Sequence, residues 1–287
     1  MKRGYSWWAS KRTRRSVGDL IVYAILILIC IAMAIPFFWM ISTSLKEKGA
    51  VFTFPPQWIP DPIVWHNFPE ALTMFPFQIY FKNTILLTLS CILGTLLSSS
   101  LVAYSFARLR FPGRNFLFLL LLSTIMLPYQ VTMIPTYILF RYLGWIDTFK
   151  PLIVPAYFGG AFNIFLLRQF FLTIPLELDD AARIDGCSSF DVYWRINLPL
   201  AKPALLTVSI FAFMFHWNDL MGPLIYINSG SKWTLSLGLV GFRNRYFVPD
   251  WNLLMAASLA TILPCLIVFF FAQKYFIQGI ATTGLKG

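Results

Sequence analysis

Residues 20–41 read LIVYAILILICIAMAIPFFWMI, a run of twenty-two positions that contains no charged side chain. The hydrocarbon core of a bilayer is about 30 Å thick, so a helix needs about 20 mostly apolar residues to cross it. This stretch therefore predicts a membrane-spanning helix, and we expect the chain to be an all-α membrane protein.

The same stretch shares features with a secretory signal peptide. A basic segment precedes it, and Ala32-Met33-Ala34 fits the small-residue pattern of a cleavage site. The apolar run nevertheless continues from Phe37 to Ile41, which makes it longer than the apolar region of a signal peptide. We therefore expect an uncleaved first span that follows a basic cytoplasmic segment, residues 1–19.

The composition of the whole chain agrees with a membrane protein. Of its 287 residues 58% are hydrophobic and only 12% are charged, whereas an ordinary soluble domain has about 25% charged residues. The net charge of +11 is typical of basic residues that set topology and contact the lipid bilayer. Because these residues form no aromatic-interleaved basic patch, we expect no binding to nucleic acid.

Five further stretches have the length and apolar character of a span. The six predicted spans are approximately Leu20–Ile41, Thr84–Ala107, Phe116–Phe140, Leu152–Leu172, Leu205–Ile227 and Leu253–Tyr275. Pro128 and Pro135 predict kinks in the third span. With the N-terminus inside, 15 of the 23 Lys and Arg residues fall in inner segments, as the positive-inside tendency requires. We expect one membrane domain over residues 20–287, in the cytoplasmic membrane, with both termini in the cytoplasm.

The chain lacks the residues that several kinds of chemistry need. It has no Gly-Lys pair and hence no phosphate-binding loop of the common nucleotide-binding type. The predicted spans have no Asp, Glu, Lys or Arg at mid-depth, although transporters driven by ions or protons keep ionisable residues there. We therefore predict a polar-lined passage that another protein powers, with no cofactor bound by this chain.

A few polar residues in or near the spans are candidates for lining that passage. They are Gln130, Asn163, Trp217, Asn218 and Asp219. His216 and Asp219 lie three positions apart, but a zinc site needs at least three protein ligands, so we predict no metal site. The alternative for residues 217–219 is a cluster at the membrane interface whose polar groups satisfy one another.

The segment from Ile174 to Ala204 reads IPLELDDAARIDGCSSFDVYWRINLPLAKPA and holds five of the twelve acidic residues. Pro175 fits the first position of a helix. Leu178, Ala181, Ala182 and Asp185 then share one face, and the two adjacent alanines leave that face narrow enough to fit a cleft. Gly186 is placed to end this helix in a left-handed conformation, and Ser188 with Asp191 predicts the start of a second short helix. The alternative is an amphipathic hairpin at the membrane surface without a partner.

This segment resembles the EAA signature of ABC-importer permeases. The spacing of that signature is matched by Asp180-Ala181-Ala182, then three intervening residues before Gly186, then nine before Ile196-Asn197-Leu198-Pro199. Asp180 replaces the usual Glu, and Cys187 replaces a common Ala. Residues 215–219 (FHWND), 250–257 (DWNLLMAA) and 284–287 (GLKG) are similar to the second permease subunit of the maltose-type carbohydrate-uptake group.

The resemblance implies partner proteins on both sides of the membrane. It implies a second, homologous permease subunit, two ATP-binding subunits that hold ATP and Mg, and an extracytoplasmic solute-binding protein. The coupling loop, about 174–203 between the fourth and fifth helices, would contact the ATPase through Glu177, Asp180, Ala181, Ala182, Asp185, Gly186 and Pro199. The outer segment Asn228–Asn252 would contact the binding protein, with Trp233, Arg243, Asn244, Arg245 and Tyr246 as candidates.

The function that the resemblance implies is carbohydrate import without covalent chemistry by this chain. Related permeases move disaccharides, oligosaccharides or glycerol phosphates. Two alternatives remain open from the residues alone. One is a stand-alone secondary transporter or channel for a polar solute, and the other is a membrane enzyme that uses His66, His216 and nearby acids.

Overall fold

The structure, a computed structural model, describes residues 11–74, 76–244 and 250–284, with side chains in 18–74, 76–241 and 250–273. Every regular element in these ranges is helical, which confirms the all-α prediction. The α-helices are α1 Lys11–Ser44, α2 Asn67–Thr73, α3 Phe77–Arg108, α4 Arg114–Ser123, α5 Tyr129–Tyr142, α6 Lys150–Ile153, α7 Ala161–Thr173, α8 Leu176–Ile184, α9 Ser189–Asp191, α10 Leu198–Leu200, α11 Lys202–Trp217, α12 Met221–Tyr226, α13 Leu235–Asn244 and α14 Trp251–Gly284. Short 3₁₀ turns cover Lys48–Ala50, Thr124–Met126, Val154–Phe158 and Gly230–Lys232, and Val192–Asn197 is a π-helix.

Four helical stretches among the described residues are long and apolar enough to cross a membrane. They are Gly18–Ser44, Phe77–Arg108, Lys150–Thr173 and Trp251–Gln273. Two bent pairs meet the same criterion together: Arg114–Met126 with Tyr129–Tyr142, at 99°, and Ser189–Leu200 with Lys202–Trp217, at 77°. The structure thus supports between four and six spans.

Several predicted spans are broken where the sequence changes the backbone preference. At the predicted kink the chain turns by 99°, because Leu127 is extended before Pro128, as the ring of the following proline requires. Pro135, the second proline for which a kink was predicted, lies inside α5. The prediction of one continuous helix over 205–227 is wrong, because α11 ends at Trp217 and α12 begins only at Met221.

The chain divides into two compact units, residues 1–71 with 246–260 and residues 72–245 with 261–287. In the first unit, Asn67 organises the chain that follows α1. Its side-chain nitrogen donates to the carbonyl oxygens of Ser44 and Lys46 at 2.9 and 2.8 Å, and its oxygen accepts from Asn252 at 3.2 Å. The buried Lys46 ammonium lies 4.0 Å from the centre of the Trp39 ring, a cation–π contact.

In the second unit, α3 packs against α7 and α11 and forms the main core. The fully buried side chains at its centre include Ala103, Leu167, Phe171 and Val208. Small residues on α3 permit close packing: a Cβ added to Gly94 would lie only 2.6 Å from the ring of Tyr157. The inner structure of this unit is therefore built around one continuous helix, α3.

Candidate functional site: the loop between α7 and α11

The first helix of this loop, α8, begins and ends as its sequence directs. Pro175 precedes the helix as its N-cap, one position earlier than predicted. Gly186 has φ +85°, a conformation that glycine adopts without steric cost. The amide of Gly186 donates to the carbonyl of Arg183 at 3.0 Å, and that of Cys187 donates to Ala182 at 2.9 Å. These bonds satisfy the last carbonyl groups of the helix and confirm the predicted C-terminus.

The second helix begins with a capping box, as predicted. The amide of Asp191 donates to the Ser188 hydroxyl oxygen at 3.2 Å, and the Ser188 amide donates to the Asp191 carboxylate at 3.2 Å. Hydrogen bonds from the hydroxyl and amide of Ser188 lower the pKa of the Asp191 carboxyl, since they favour its charged form. The turn that joins the two short helices is therefore fixed locally.

One face of α8 is buried and the opposite face is exposed, but the faces differ from the prediction. Asp179 and Ala182 are only 1% and 6% exposed, so both lie on the face of α8 that packs against its own chain. The outward stripe consists of Glu177, Asp180, Ala181 and Ile184, at the i, i+3, i+4, i+7 spacing of one helix face. The other predicted coupling residues, Asp185, Gly186 and Pro199, are exposed.

A buried polar cluster holds α8 against the end of α3. The Arg108 Nε and Asp179 Oδ2 atoms are 3.5 Å apart, and each side chain is 2% exposed. Asn197, which is fully buried, donates to Asp179 Oδ1 at 2.8 Å. The Arg108 guanidinium also donates to the carbonyl oxygen of Ile174 at 2.6 Å. Arg108 therefore binds the backbone just before α8, at Ile174, and also the first turn of α8, at Asp179.

This cluster was not predicted from the sequence. Arg108 was counted only as a basic residue that sets topology, and Asp179 only as one of the acidic residues of the loop. The available signal was the spacing of Asp179 and Ala182, which places both on one face of α8. Nothing in the sequence linked that face to Arg108, which is 71 positions away from Asp179.

Two hydroxyl contacts join α3 to the second helix of the loop. The Tyr104 hydroxyl donates to the carbonyl oxygen of Ser189 at 3.1 Å. Ser100 and Tyr193 share a hydrogen bond of 2.8 Å between their hydroxyl oxygens. Together with the charged cluster, these contacts attach both short helices of the loop to the same long helix.

With this geometry established, comparison with known proteins identifies the family. The model of the family described as "binding-protein-dependent transport system inner membrane component" matches residues 94–282. The chain belongs to this family. It is a permease subunit of an ABC importer, a multi-pass protein of the inner membrane, and it is a transport subunit and not an enzyme. The EAA-like motif and the short helices around it are typical of such permeases.

Individual relatives cover nearly the whole permease. The probable ABC transporter permease protein YurM of Bacillus subtilis (strain 168) is 35% identical over 282 residues, which span 96% of this chain and 91% of that protein. The arabinooligosaccharides transport system permease protein AraQ of Halalkalibacterium halodurans is 35% identical over 246 residues, 86% of each chain. A chain from the crystal structure of a bacterial ABC transporter involved in the import of the acidic polysaccharide alginate has the same fold, with a TM-score of 0.83 at 24% identity, and the match covers 93% of the permease and 98% of that chain.

The predicted passage residues of the permease have mostly intrachain contacts. Trp217 is 3% exposed, and its indole nitrogen donates to the carbonyl oxygen of Thr261 at 3.1 Å. Asn218 donates to the carbonyl oxygen of Met214 at 2.8 Å, and the Asp219 carboxylate accepts from the Gly222 amide at 3.1 Å. The side chains of residues 217–219 thus bind backbone groups of the same chain.

The other predicted passage residues and the predicted contacts for the binding protein differ in exposure. Gln130 is exposed in the first turn of α5, and Asn163 is half-buried in α7. Trp233 is half-buried, with its ring centroid 6.0 Å from that of Tyr80. The structure describes only the backbone of Arg243 and Asn244, which belong to α13. The predicted contacts Arg245 and Tyr246 lie outside the described residues.

Asp147, which the sequence analysis did not single out, joins the segment before α6 to the segment after α12. Its Oδ1 atom accepts from the amides of Asn228 and Ser229 at 3.0 and 2.8 Å. Its Oδ2 atom accepts from the Ser229 hydroxyl at 2.5 Å and from the Lys232 ammonium at 3.0 Å. These hydrogen bonds, first of all that from the Ser229 hydroxyl, hold the pKa of the Asp147 carboxyl well below its usual range.

This low pKa predicts how Asp147 contributes to stability at different pH values. A carboxyl whose pKa is lowered by folding stabilises the protein above its unfolded value of about 3.9, and the contribution is lost as pH falls through the folded value. The Asp147→Asn variant should therefore melt at a lower temperature than wild type by a constant margin from about pH 5 to 8. Thermal melting of the detergent-solubilised permease measures this margin.

The matched control for this experiment is Asp61→Asn, which removes an equally negative but exposed carboxylate. Its melting temperature should equal that of wild type. A margin for Asp147→Asn that disappears between pH 5 and 8, or that Asp61→Asn reproduces, would contradict the assigned role.

Proposed function

We propose that this permease forms the path of a carbohydrate importer together with a second, homologous permease. In this proposal the chain has six spans with both termini in the cytoplasm. Residues 174–203 then lie on the cytoplasmic side between the fourth and fifth spans. Two ATP-binding subunits, which hold ATP and Mg, complete the complex, and a solute-binding protein delivers the solute from outside.

The observation that carries the proposal is the division of α8 into a buried and an exposed face. Asp179 and Ala182 fix the helix to its own chain, so the outward stripe does not form part of the core. The stripe combines two carboxylates with a small residue and with Ile184, which is 86% exposed. A docking surface typically exposes a large apolar side chain among charged ones. Here that side chain lies on a helix whose opposite face is bound to α3.

A carbohydrate is the substrate class that the relatives favour. AraQ is named for arabinooligosaccharides, and it resembles this permease over most of both chains. Residues 217–219, which the sequence analysis proposed for the passage, use their polar groups within the chain. We therefore infer that sugar contacts come mainly from other side chains and from the second permease, and we keep Gln130 and Asn163 as candidates.

Substitution of Ile184 tests whether α8 docks onto an ATPase. Ile184→Asp changes a side chain that is almost fully exposed, so the fold should be unaffected. Burial of an isoleucine in an interface contributes about 1.5–3 kcal/mol, which corresponds to at least a tenfold change in affinity. We expect the ATPase to co-purify with the wild-type permease, with one copy of each permease and two of the ATPase, and to be lost from the variant.

Leu176→Asp is the matched control, because Leu176 is 59% exposed on the same helix but lies outside the stripe. This variant should retain the ATPase. Equal retention by Ile184→Asp and wild type would contradict docking through this face. A wild-type permease that purifies alone and transports a solute under an ion gradient in liposomes would establish the stand-alone transporter instead.

A further inference from the structure

Helix α3 connects the two regions of the permease for which partner contacts are proposed. At one end it binds the coupling loop, and at the other it binds the segment 231–235. We propose that α3 transmits movement between the ATPase and the solute-binding protein as one rigid unit, with Arg108, Asp179 and Asn197 as its inner attachment and Asn83 and Thr84 as its outer attachment. The inference rests on the proposed function and adds the residues through which the two partners influence each other.

The inner attachment is built so that α8 cannot move without α3. Arg108 binds the loop at Asp179 and at the carbonyl oxygen of Ile174. Both charged side chains are withdrawn from water, and Asn197 occupies the second carboxylate oxygen of Asp179. If the two helices separated, two buried charges would lose their partners, which is far more costly than the loss of an exposed ion pair.

The outer attachment consists of hydrogen bonds from α3 to backbone atoms. The Asn83 side-chain nitrogen donates to the carbonyl oxygens of Ser231 and Trp233 at 3.0 and 2.9 Å. The amide of Leu235 donates to the buried Thr84 hydroxyl oxygen at 2.9 Å. Because backbone groups of three residues in a five-residue segment are bound, this segment must follow the end of α3.

Between these attachments α3 is continuous. Its 32 residues correspond to about 48 Å at 1.5 Å per residue, enough to cross a bilayer of about 40–45 Å with its headgroup layers. The two other helices of more than 30 residues, α1 and α14, contain the interior prolines Pro36 and Pro264. Helix α3 contains no proline and is unbroken from Phe77 to Arg108, so a displacement at one end is not absorbed at a proline kink.

A double-mutant cycle tests the proposal in the complete transporter. The permease is purified with its co-purifying subunits and reconstituted into phosphatidylethanolamine–phosphatidylglycerol liposomes. Phosphate release from ATP is measured with and without the solute-binding protein, which is added with the solute it retains on purification. Asn83→Ala removes two of the three hydrogen bonds of the outer attachment from a half-buried position. Asp179→Asn removes the inner charge while keeping an oxygen that can accept from Asn197.

The Asn83→Ala variant should assemble with the ATPase and keep its basal hydrolysis. In both single variants the ratio of stimulated to basal hydrolysis should fall at least fivefold. The stimulation in the double variant should equal that of the single variant with the lower stimulation, since both changes interrupt the same connection. Ser105→Ala is the matched control on α3, because that hydroxyl donates only to Leu101 of its own helix. Its stimulation should remain at the wild-type value.

The possible outcomes separate this inference from the proposed function. If the wild-type complex contains no ATPase, or hydrolyses ATP without any response to the binding protein, the proposed function fails. If wild type responds and Asn83→Ala also responds fully, or if the two effects multiply in the double variant, transmission through α3 is wrong while the importer remains. If Asp179→Asn does not assemble, Asn83→Ala alone decides, and Asp179→Glu should recover part of the stimulation.

Discussion

The Asp179→Leu variant should lose about 3–5 kcal/mol of its free energy of unfolding, because it leaves the buried guanidinium of Arg108 without a counter-charge. Asn197 also loses the acceptor for its 2.8 Å hydrogen bond, and an unpaired buried donor adds to the cost. Thermal melting of the detergent-solubilised permease, followed by loss of monodisperse protein, should show the lower stability directly.

Replacement of both charged partners provides the control for this experiment. In Arg108→Met with Asp179→Leu, two apolar side chains fill the site, and replacement of a buried ion pair in this way is often neutral or stabilising. The double variant should therefore recover most of the stability that the single variant loses. If the single variant melts like wild type, or the double variant is as unstable as the single one, the buried pair does not have the role assigned here.

The Gly186→Val variant should abolish ATP-dependent uptake while the permease still inserts and purifies. Gly186 has φ +85°, and nothing lies within 4 Å of a Cβ added there, so the cost arises from the backbone and not from a clash. A β-branched residue in this conformation is disfavoured by about 1–2 kcal/mol or more. Relief of that strain would change the end of α8 and displace the outward stripe.

Two further substitutions isolate the effect of the backbone. Gly49 is exposed, has no positive φ and has open space around its Cβ, so Gly49→Val should transport at the wild-type rate. Asparagine tolerates the left-handed conformation, so Gly186→Asn should retain most of the uptake. Uptake of labelled solute into proteoliposomes with enclosed ATP measures all three variants, and normal uptake by Gly186→Val would exclude a coupling role for this turn.

Local rules predicted the parts of the coupling loop that depend on nearby residues. The positive φ of Gly186 and the capping box of Ser188 with Asp191 involve partners within a few positions, and the structure confirms both. The choice of the buried face of α8 depends on Arg108, which is distant in sequence, and Ala182, one of the predicted coupling residues, lies on that buried face. The spacing shows which residues share a face, but only the packed partner decides which face is covered.

The spans show the same division. Apolar length predicted the positions of the long helices, and Pro128 predicted a change of direction that the structure confirms. The interruption between Trp217 and Met221 was not predicted, although Gly222-Pro223 follow it and Pro223 has no amide hydrogen to bind the carbonyl of Asp219. Here the Asp219 side chain binds the amide of Gly222, so a local side-chain contact replaces helical hydrogen bonds.

The breaks near Pro128, at Gly159-Gly160 and at residues 218–220 have a consequence for the surroundings of the permease. Each break frees backbone amides or carbonyl groups that hydrocarbon chains cannot hydrogen-bond. Some of these groups are bound within the chain, since the Ser98 hydroxyl donates to the carbonyl oxygen of Ala156 at 3.2 Å. The others need a neighbouring protein surface or water. The continuous α3 makes no such demand. Each break thus lies where polar groups, and not lipid tails alone, border the backbone.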